Sequence, residues 1–118
     1  MSNTVHWLLE LSINEGKLAE FKTLMNEMVE TTKNESGTIA YEWYFNDSES
    51  LCCISERYED SDATLTHLQS FGGSFAERFM ACVTPTRFTV LGNPNKAVRE
   101  GLAGLNPSYL ALKAGFSK

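Results

Sequence analysis

The sequence predicts an α+β domain in which strands and helices follow the order β-α-β-β-α-β. Apolar and polar residues alternate with a period of two at residues 5–13, 38–45 and 51–58, which is typical of strands. Residues 18–32 carry apolar side chains at helical spacing. A second apolar helical stripe then precedes another alternating segment at residues 86–91. This order is that of the ferredoxin-like fold, with an antiparallel sheet.

The first strand carries an unbroken apolar face, formed by Val5, Trp7, Leu9, Leu11 and Ile13. Asn14 is the predicted N-cap of the first helix, because its side-chain oxygen can accept hydrogen bonds from the free N–H groups of the first turn. The helix is expected to bury one side and to end before Gly37. Its apolar side consists of Leu18, Phe21, Leu24, Met25, Met28, Val29 and Thr32.

A polar turn at residues 46–50 joins the second and third strands into a hairpin. Neither face of the second strand has the polar composition of a solvent-exposed face, because aromatic or small side chains lie on both. A sheet covered on both faces has helices on one side and another layer or chain on the other, so the pattern favours assembly. The two faces are Ile39, Tyr41, Trp43 and Phe45, and Thr38, Ala40, Glu42 and Tyr44.

One of the polar residues at 60–62 is predicted to cap the second helix, since acidic groups suit a helix N-terminus. The glycines at 72–73 are expected to interrupt this helix, and Ser74 is expected to cap its continuation. Pro85 marks a predicted boundary before the fourth strand at residues 86–91, because the residue before a proline avoids the helical region.

The length of 118 residues predicts a single domain, with a core at residues 5–92 and a C-terminal extension at residues 93–118. A short helix is expected around residues 96–102. The rest of the extension is too apolar to remain free in solvent. We therefore expect this arm to pack across the domain or onto a partner subunit.

Composition excludes several classes of function. The net charge of −5 and the scattered basic residues argue against nucleic acid as a partner. No apolar run approaches the roughly 20 residues of a membrane span, and the N-terminus does not resemble a signal peptide, so we expect no membrane partner and a cytoplasmic location. The three cysteines have no CxxC spacing, which favours buried thiols over a metal site. Nucleotide-binding, hydrolase and zinc-protease motifs are missing from the sequence as well.

Several motifs of the core resemble the antibiotic biosynthesis monooxygenase-like family, over about residues 5–92. They are Gly37, Tyr41 with Glu42, the triplet Glu56-Arg57-Tyr58, and Ser61-Asp62-Ala63 running to His67-Leu68. The resemblance implies a homodimeric α+β barrel, in which two four-stranded sheets face each other with the helices outside. It also implies oxidation of phenolic, quinol or polycyclic aromatic substrates by molecular oxygen, often without metal or flavin. A haem-degrading branch has an axial histidine further along the second helix, where this chain reads SFGGSFAERF, so that activity is disfavoured.

His67 is the first candidate catalytic residue, because it lies at the flank of the buried stripe of the second helix and is one of two histidines. A neutral imidazole there could accept a phenolic proton and so prepare the substrate for attack on oxygen. The alternative is a structural histidine bonded to a backbone carbonyl or to water. Tyr58, at the end of its strand, is a second candidate catalytic residue as a hydrogen-bond donor.

Five aromatic residues are predicted to line a flat apolar slot for the substrate, although a plain aromatic core explains each of them too. Four charged residues are predicted on the opposite face of the sheet, in a polar network that fixes the register of the dimer barrel more readily than it performs chemistry. The slot comprises Trp7, Tyr41, Trp43, Phe71 and Phe75, and the network comprises Glu10, Glu42, Glu56 and Arg87.

The sequence therefore favours a cofactor-independent monooxygenase that acts on a small phenol, quinol or polycyclic aromatic molecule. One alternative is a non-catalytic dimer of the same fold that binds an aromatic or lipid-like small molecule. A further alternative is a structural or partner-binding dimer whose slot is filled by its own side chains.

Overall fold

The computed structural model describes residues 3–118. A single mixed sheet has the strand order β2-β3-β1-β4-β5, and a short 3-10 helix at Ala103–Leu105 follows the last α-helix. The elements are β1 (Val5–Ile13), α1 (Leu18–Thr32), β2 (Thr38–Phe45), β3 (Leu51–Tyr58), α2 (Ser61–Ser74), α3 (Ala76–Cys82), β4 (Val83–Leu91), α4 (Lys96–Leu102) and β5 (Ser108–Leu110).

The first four strands are antiparallel and confirm the predicted ferredoxin-like fold. β1 lies at the centre, where it pairs with β3 on one side and β4 on the other. The sheet as a whole is mixed, because β5 from the C-terminal extension adds a parallel strand beside β4. The extension therefore completes the sheet edge, and α4 packs against α2.

The core fills the space between one face of the sheet and the helices. The alternating apolar residues of β1 and β3 supply its floor, and α1 covers it with Phe21, Leu24 and Met28. Burial of these large side chains is the main source of stability in a domain of this size. Among the described residues, no helix is both long enough and apolar enough to cross a bilayer.

Two helix boundaries differ from the predictions. Helix α1 begins at Leu18 without a side-chain cap, and the Asn14 side chain instead accepts a hydrogen bond from the Thr84 hydroxyl at 2.8 Å. Helix α2 continues through the two glycines and breaks at Phe75, whose φ of −128° is not helical. A helix already fixed by tertiary contacts tolerates glycine, which weakens it without forcing it to end.

Two strand predictions are also corrected. β4 begins at Val83 and includes Pro85, which pairs with Leu11 next to a bulge in the ladder, and bulges are one of the places where a strand tolerates proline. A second irregularity in the pairing between β2 and β3, just after Thr38, turns Ile39 outward. Its side chain is accordingly 56% exposed and does not join the aromatic face of β2.

Candidate active site

A cavity of about 380 Å³ lies between the sheet and the helices, with a mostly apolar lining. Trp7, Leu9, Ile54 and Phe88 form its floor on the sheet. Its upper walls come from α1, α2 and α3, and the C-terminal extension closes one side. These upper residues are Met28, Leu68, Phe71, Gly72, Ala76, Phe79, Met80, Gly101, Leu102, Gly104 and Leu105.

Glu56 and His67 are polar exceptions in this lining, and both are buried. The His67 Nε2 atom lies 3.3 Å from Glu56 Oε1, and Nδ1 lies 2.9 Å from Glu35 Oε1. The Tyr58 hydroxyl donates to the same Glu56 oxygen at 2.5 Å. Thr38 donates to Glu35 at 2.9 Å. The imidazole is thus held between two carboxylates, one of which faces the cavity.

Strand register explains why Glu56 faces the cavity. Residues directly opposite each other on paired strands share a face of the sheet. Glu56 lies opposite Trp7 on β1 and opposite Tyr41 on β2, and both of these aromatic side chains face the helices. The prediction that Glu56 points away from the helices, into a network between two subunits, is therefore wrong.

The N-terminus of α2 fixes the position of His67. Asp60 caps the helix by accepting from the Ala63 N–H at 2.8 Å, which confirms the cap predicted within residues 60–62. Gly37 lets the preceding loop approach α2, since a Cβ atom built there would lie 2.4 Å from the Ala63 Cβ. This close approach brings Glu35 within reach of His67.

The surroundings of His67 favour its protonated form. Burial lowers the pKa of His67, but the hydrogen bond and charge of Glu56, together with those of Glu35, outweigh it and raise the pKa above 6.5. Carboxylate oxygens only accept hydrogen bonds, so both ring nitrogens find their partners only when both carry a proton. The two carboxylates therefore shift the pKa of His67 away from the neutral imidazole expected from the sequence.

Two tyrosines near the cluster are kept as neutral phenols. Burial, with a smaller effect of the Glu56 charge, raises the pKa of both Tyr41 and Tyr58. Tyr41 lines the cavity, and its ring centroid lies 5.3 Å from that of His67. Tyr58 is fully buried and does not line the cavity, so it contacts Glu56 and not a bound molecule.

The predicted aromatic slot is formed in part. Trp7, Tyr41 and Phe71 line the cavity, whereas Trp43 and Phe75 do not. Trp43 packs on Phe21 and Phe79 in the core, with ring centroid distances of 5.5 Å and 6.2 Å. Its indole N–H is buried without a hydrogen-bond partner. Phe75 lies at the break between α2 and α3, packed against the core.

The other predicted network residues lie on the open face of the sheet. Glu10 and Arg87 form an ion pair at 3.9 Å, and both side chains are substantially exposed. Glu42 is exposed on β2. Within residues 3–118, no group of three or more His, Cys, Asp or Glu side chains is arranged to hold a metal ion.

Sequence reasoning missed Glu35 and the contribution of the extension. Glu35 lies in the loop after α1, where no periodic pattern assigns a direction to a side chain. The Gly37 motif beside it was the available signal, because a glycine in such a loop indicates a close approach of the backbone. Leu102 and Leu105 reach the cavity only because α4 packs on α2.

Comparison with known proteins places the fold among related structures. The family model for antibiotic biosynthesis monooxygenase matches residues 4–84. The chain is similar to MupZ from Pseudomonas fluorescens, with 27% identity and a TM-score of 0.87 over 100% of this chain and 91% of that chain. It is similar in fold to SnoaB, a cofactor-independent oxygenase from Streptomyces nogalater, with 15% identity and a TM-score of 0.67 over 80% and 97% of the two chains. It is also similar in fold to Rv0793 from Mycobacterium tuberculosis, with 20% identity and a TM-score of 0.61. That match covers 80% of this chain and 98% of Rv0793. No curated protein matches the sequence.

Proposed function

Because this chain belongs to the antibiotic biosynthesis monooxygenase family, we propose that it is a cofactor-independent monooxygenase that oxidises a small phenolic, quinol or polycyclic aromatic substrate. The substrate is deprotonated in the cavity, and the electron-rich anion reacts with molecular oxygen. In the simplest balanced case, a ring CH₂ group and O₂ give a carbonyl group and water. This reaction needs no external reductant.

The observation that carries the proposal is a buried carboxylate in an apolar cavity. Glu56 is 5% exposed and faces the cavity beside Trp7 and Tyr41. We assign proton acceptance to Glu56, because it is the buried carboxylate that faces the cavity and so can reach a bound phenol. His67 takes the role of a charged neighbour that stabilises the substrate anion. Tyr58 is a positioning residue, because it holds the Glu56 carboxylate from behind.

The proposal is tested by oxygen uptake with a panel of quinols and polycyclic phenols, measured on metal-stripped protein. Glu56→Gln keeps the shape of the side chain but removes the base, and we expect turnover to fall at least about 100-fold. Glu30→Gln, on the exposed side of α1, is the matched control and should retain full activity. Equal uptake by wild type and Glu56→Gln would remove Glu56 from the mechanism.

A second candidate function is proton transfer without oxygen, as in an isomerisation. The observation that favours it is the pairing of an acceptor with a proton donor, because the protonated His67 lies 3.3 Å from Glu56 and both line the cavity. Incubation of a cyclic ketone in air-saturated D₂O, with oxygen uptake recorded in the same sample, separates the two functions. Deuterium incorporation without oxygen uptake supports proton transfer, and tight binding with neither reaction supports a non-catalytic binding protein.

The proposal includes a homodimer in which the open faces of two sheets meet. Tyr44 and Leu51 lie on that face and are 56% and 50% exposed, and the pair of Glu10 and Arg87 beside them could fix the register. Tyr44→Asp should convert the dimer into a monomer in light-scattering measurements. Leu112→Asp changes a still more exposed apolar residue of the tail and should leave the dimer intact. A monomeric wild type at micromolar concentration would contradict the proposal.

A cytoplasmic location completes the proposal. Cys52, Cys53 and Cys82 are all free thiols, which suits a reducing compartment. Fractionation of cells that express the protein, with the thiols titrated under native conditions, provides the test. Recovery of the protein in an oxidised form outside the cytoplasm would contradict this part.

A further inference from the structure

Glycines border the outer opening of the cavity. Gly72 belongs to the last turn of α2, and Gly101 and Gly104 belong to the extension across from it; all three line the cavity and are exposed. None has a left-handed backbone. A Cβ atom built at Gly72 or Gly104 would meet nothing within 4 Å. Neither backbone conformation nor packing therefore requires glycine at these two positions.

Glycine at these two positions leaves the edge of the cavity without a side chain. A glycine inside a helix is less favourable than alanine, and Gly72 lies within α2. A larger side chain at Gly72 or Gly104 would stand at the edge of the cavity, since both glycines line it and are exposed. With glycine at both positions, no side chain covers the cavity at this edge.

The inner end of the cavity restricts the charge of the group that binds there. Two carboxylates, Glu35 and Glu56, face one imidazolium at His67, so the cluster carries a net negative charge when both glutamates are ionised. An anionic head group would be repelled in this poorly hydrated space. The cavity volume of about 380 Å³ lies near the lower end for ligand sites, which run from about 300 to 1,000 Å³.

From these observations we infer that the substrate is a neutral molecule longer than the cavity, whose polar head binds at Glu56 and whose apolar chain or further ring leaves between Gly72 and Gly104. The inference rests on the proposed function only in taking the cavity as the substrate site. Gly72 and Gly104 then determine specificity, because they set the width of the opening.

A series of 4-alkylphenols tests the inference by binding alone. Quenching of tryptophan fluorescence reports occupancy, since Trp7 lines the cavity. We expect the affinity to rise from 4-methylphenol to 4-octylphenol, because each buried methylene favours binding. Gly72→Leu and Gly104→Leu should weaken binding of 4-octylphenol by about tenfold or more and leave 4-methylphenol unchanged.

Gly73→Leu is the matched control, because Gly73 is the next residue of α2, is equally open, and does not line the cavity. It should bind the whole series as wild type does, and thermal unfolding of each variant verifies that it is folded. Equal effects of Gly72→Leu and Gly73→Leu on the affinity for 4-octylphenol would overturn the inference. So would a wild-type affinity that does not rise with the length of the alkyl chain, or the absence of any binding. If binding depends on chain length but no oxygen is taken up, the inference about the substrate's shape stands and the proposed oxidation is contradicted.

Discussion

Replacing Glu35 by glutamine tests whether this loop carboxylate keeps His67 protonated. Glu35 Oε1 accepts from His67 Nδ1 at 2.9 Å, and the side chain is 11% exposed. Glutamine preserves the size and an acceptor oxygen but removes the charge. One of the two carboxylates that raise the pKa of His67 is then lost, while the burial that lowers it stays. We expect the pKa of His67 to fall.

The energetic size of this change follows from the hydrogen bond. A bond to a charged group contributes about 1.5–3 kcal/mol, and glutamine retains part of it, so we expect a loss of about 1–2 kcal/mol in the free energy of unfolding near pH 6. The pKa of folded His67 lies above the unfolded value of 6.5. The contribution of the protonated His67 to the free energy of unfolding is therefore complete below the pKa of the unfolded state, and it is lost as the pH rises through the pKa of the folded state. The difference between variant and wild type should shrink at alkaline pH.

Proton NMR of the two histidines measures the effect directly. Burial and the Arg57 charge lower the pKa of His6, so the two rings titrate on opposite sides of the ordinary value, and His6→Asn assigns them. Urea denaturation at several pH values supplies the stability. Glu30→Gln, which affects an exposed pair with Lys33, is the control and should change neither quantity appreciably. An unchanged His67 titration in Glu35→Gln would refute the reasoning.

Two further substitutions test the support of the cluster. Tyr58→Phe removes the second hydrogen-bond donor to Glu56. We expect the free energy of unfolding in urea to fall by about 1–2 kcal/mol, and kcat to fall with little change in KM. An altered KM with constant kcat would contradict a positioning role for Tyr58. Gly37→Ala forces a Cβ within 2.4 Å of the Ala63 Cβ, so we expect a loss of about 1–3 kcal/mol and a displaced His67 resonance. Gly104→Ala, where a Cβ has open space, should leave stability nearly unchanged, and an equal loss there would show that the close contact at Gly37 is not the cause.

The strands were predictable because period-two alternation depends only on the local sequence. Which face of β3 Glu56 occupies was not, because its direction depends on the pairing with β1 and β2. The surface direction of Ile39 likewise depends on a bulge that leaves no local signal. His67 was found because it lies at the flank of the apolar stripe of its helix, whereas the direction of its pKa shift depends on two residues far away in the chain. Sequence patterns thus identified the elements, and tertiary contacts decided the chemistry.

The division of the cavity between core and extension has an evolutionary consequence. Glu35, Glu56 and His67 fall within residues 4–84, the part that matches the family model. Gly101 and Gly104, which border the opening, lie beyond it. If the cavity binds the substrate as proposed, changes in a short C-terminal segment can alter which molecules enter without any change to Glu35, Glu56 or His67. Homologues with different tails on the same core are where divergence of substrate should be sought.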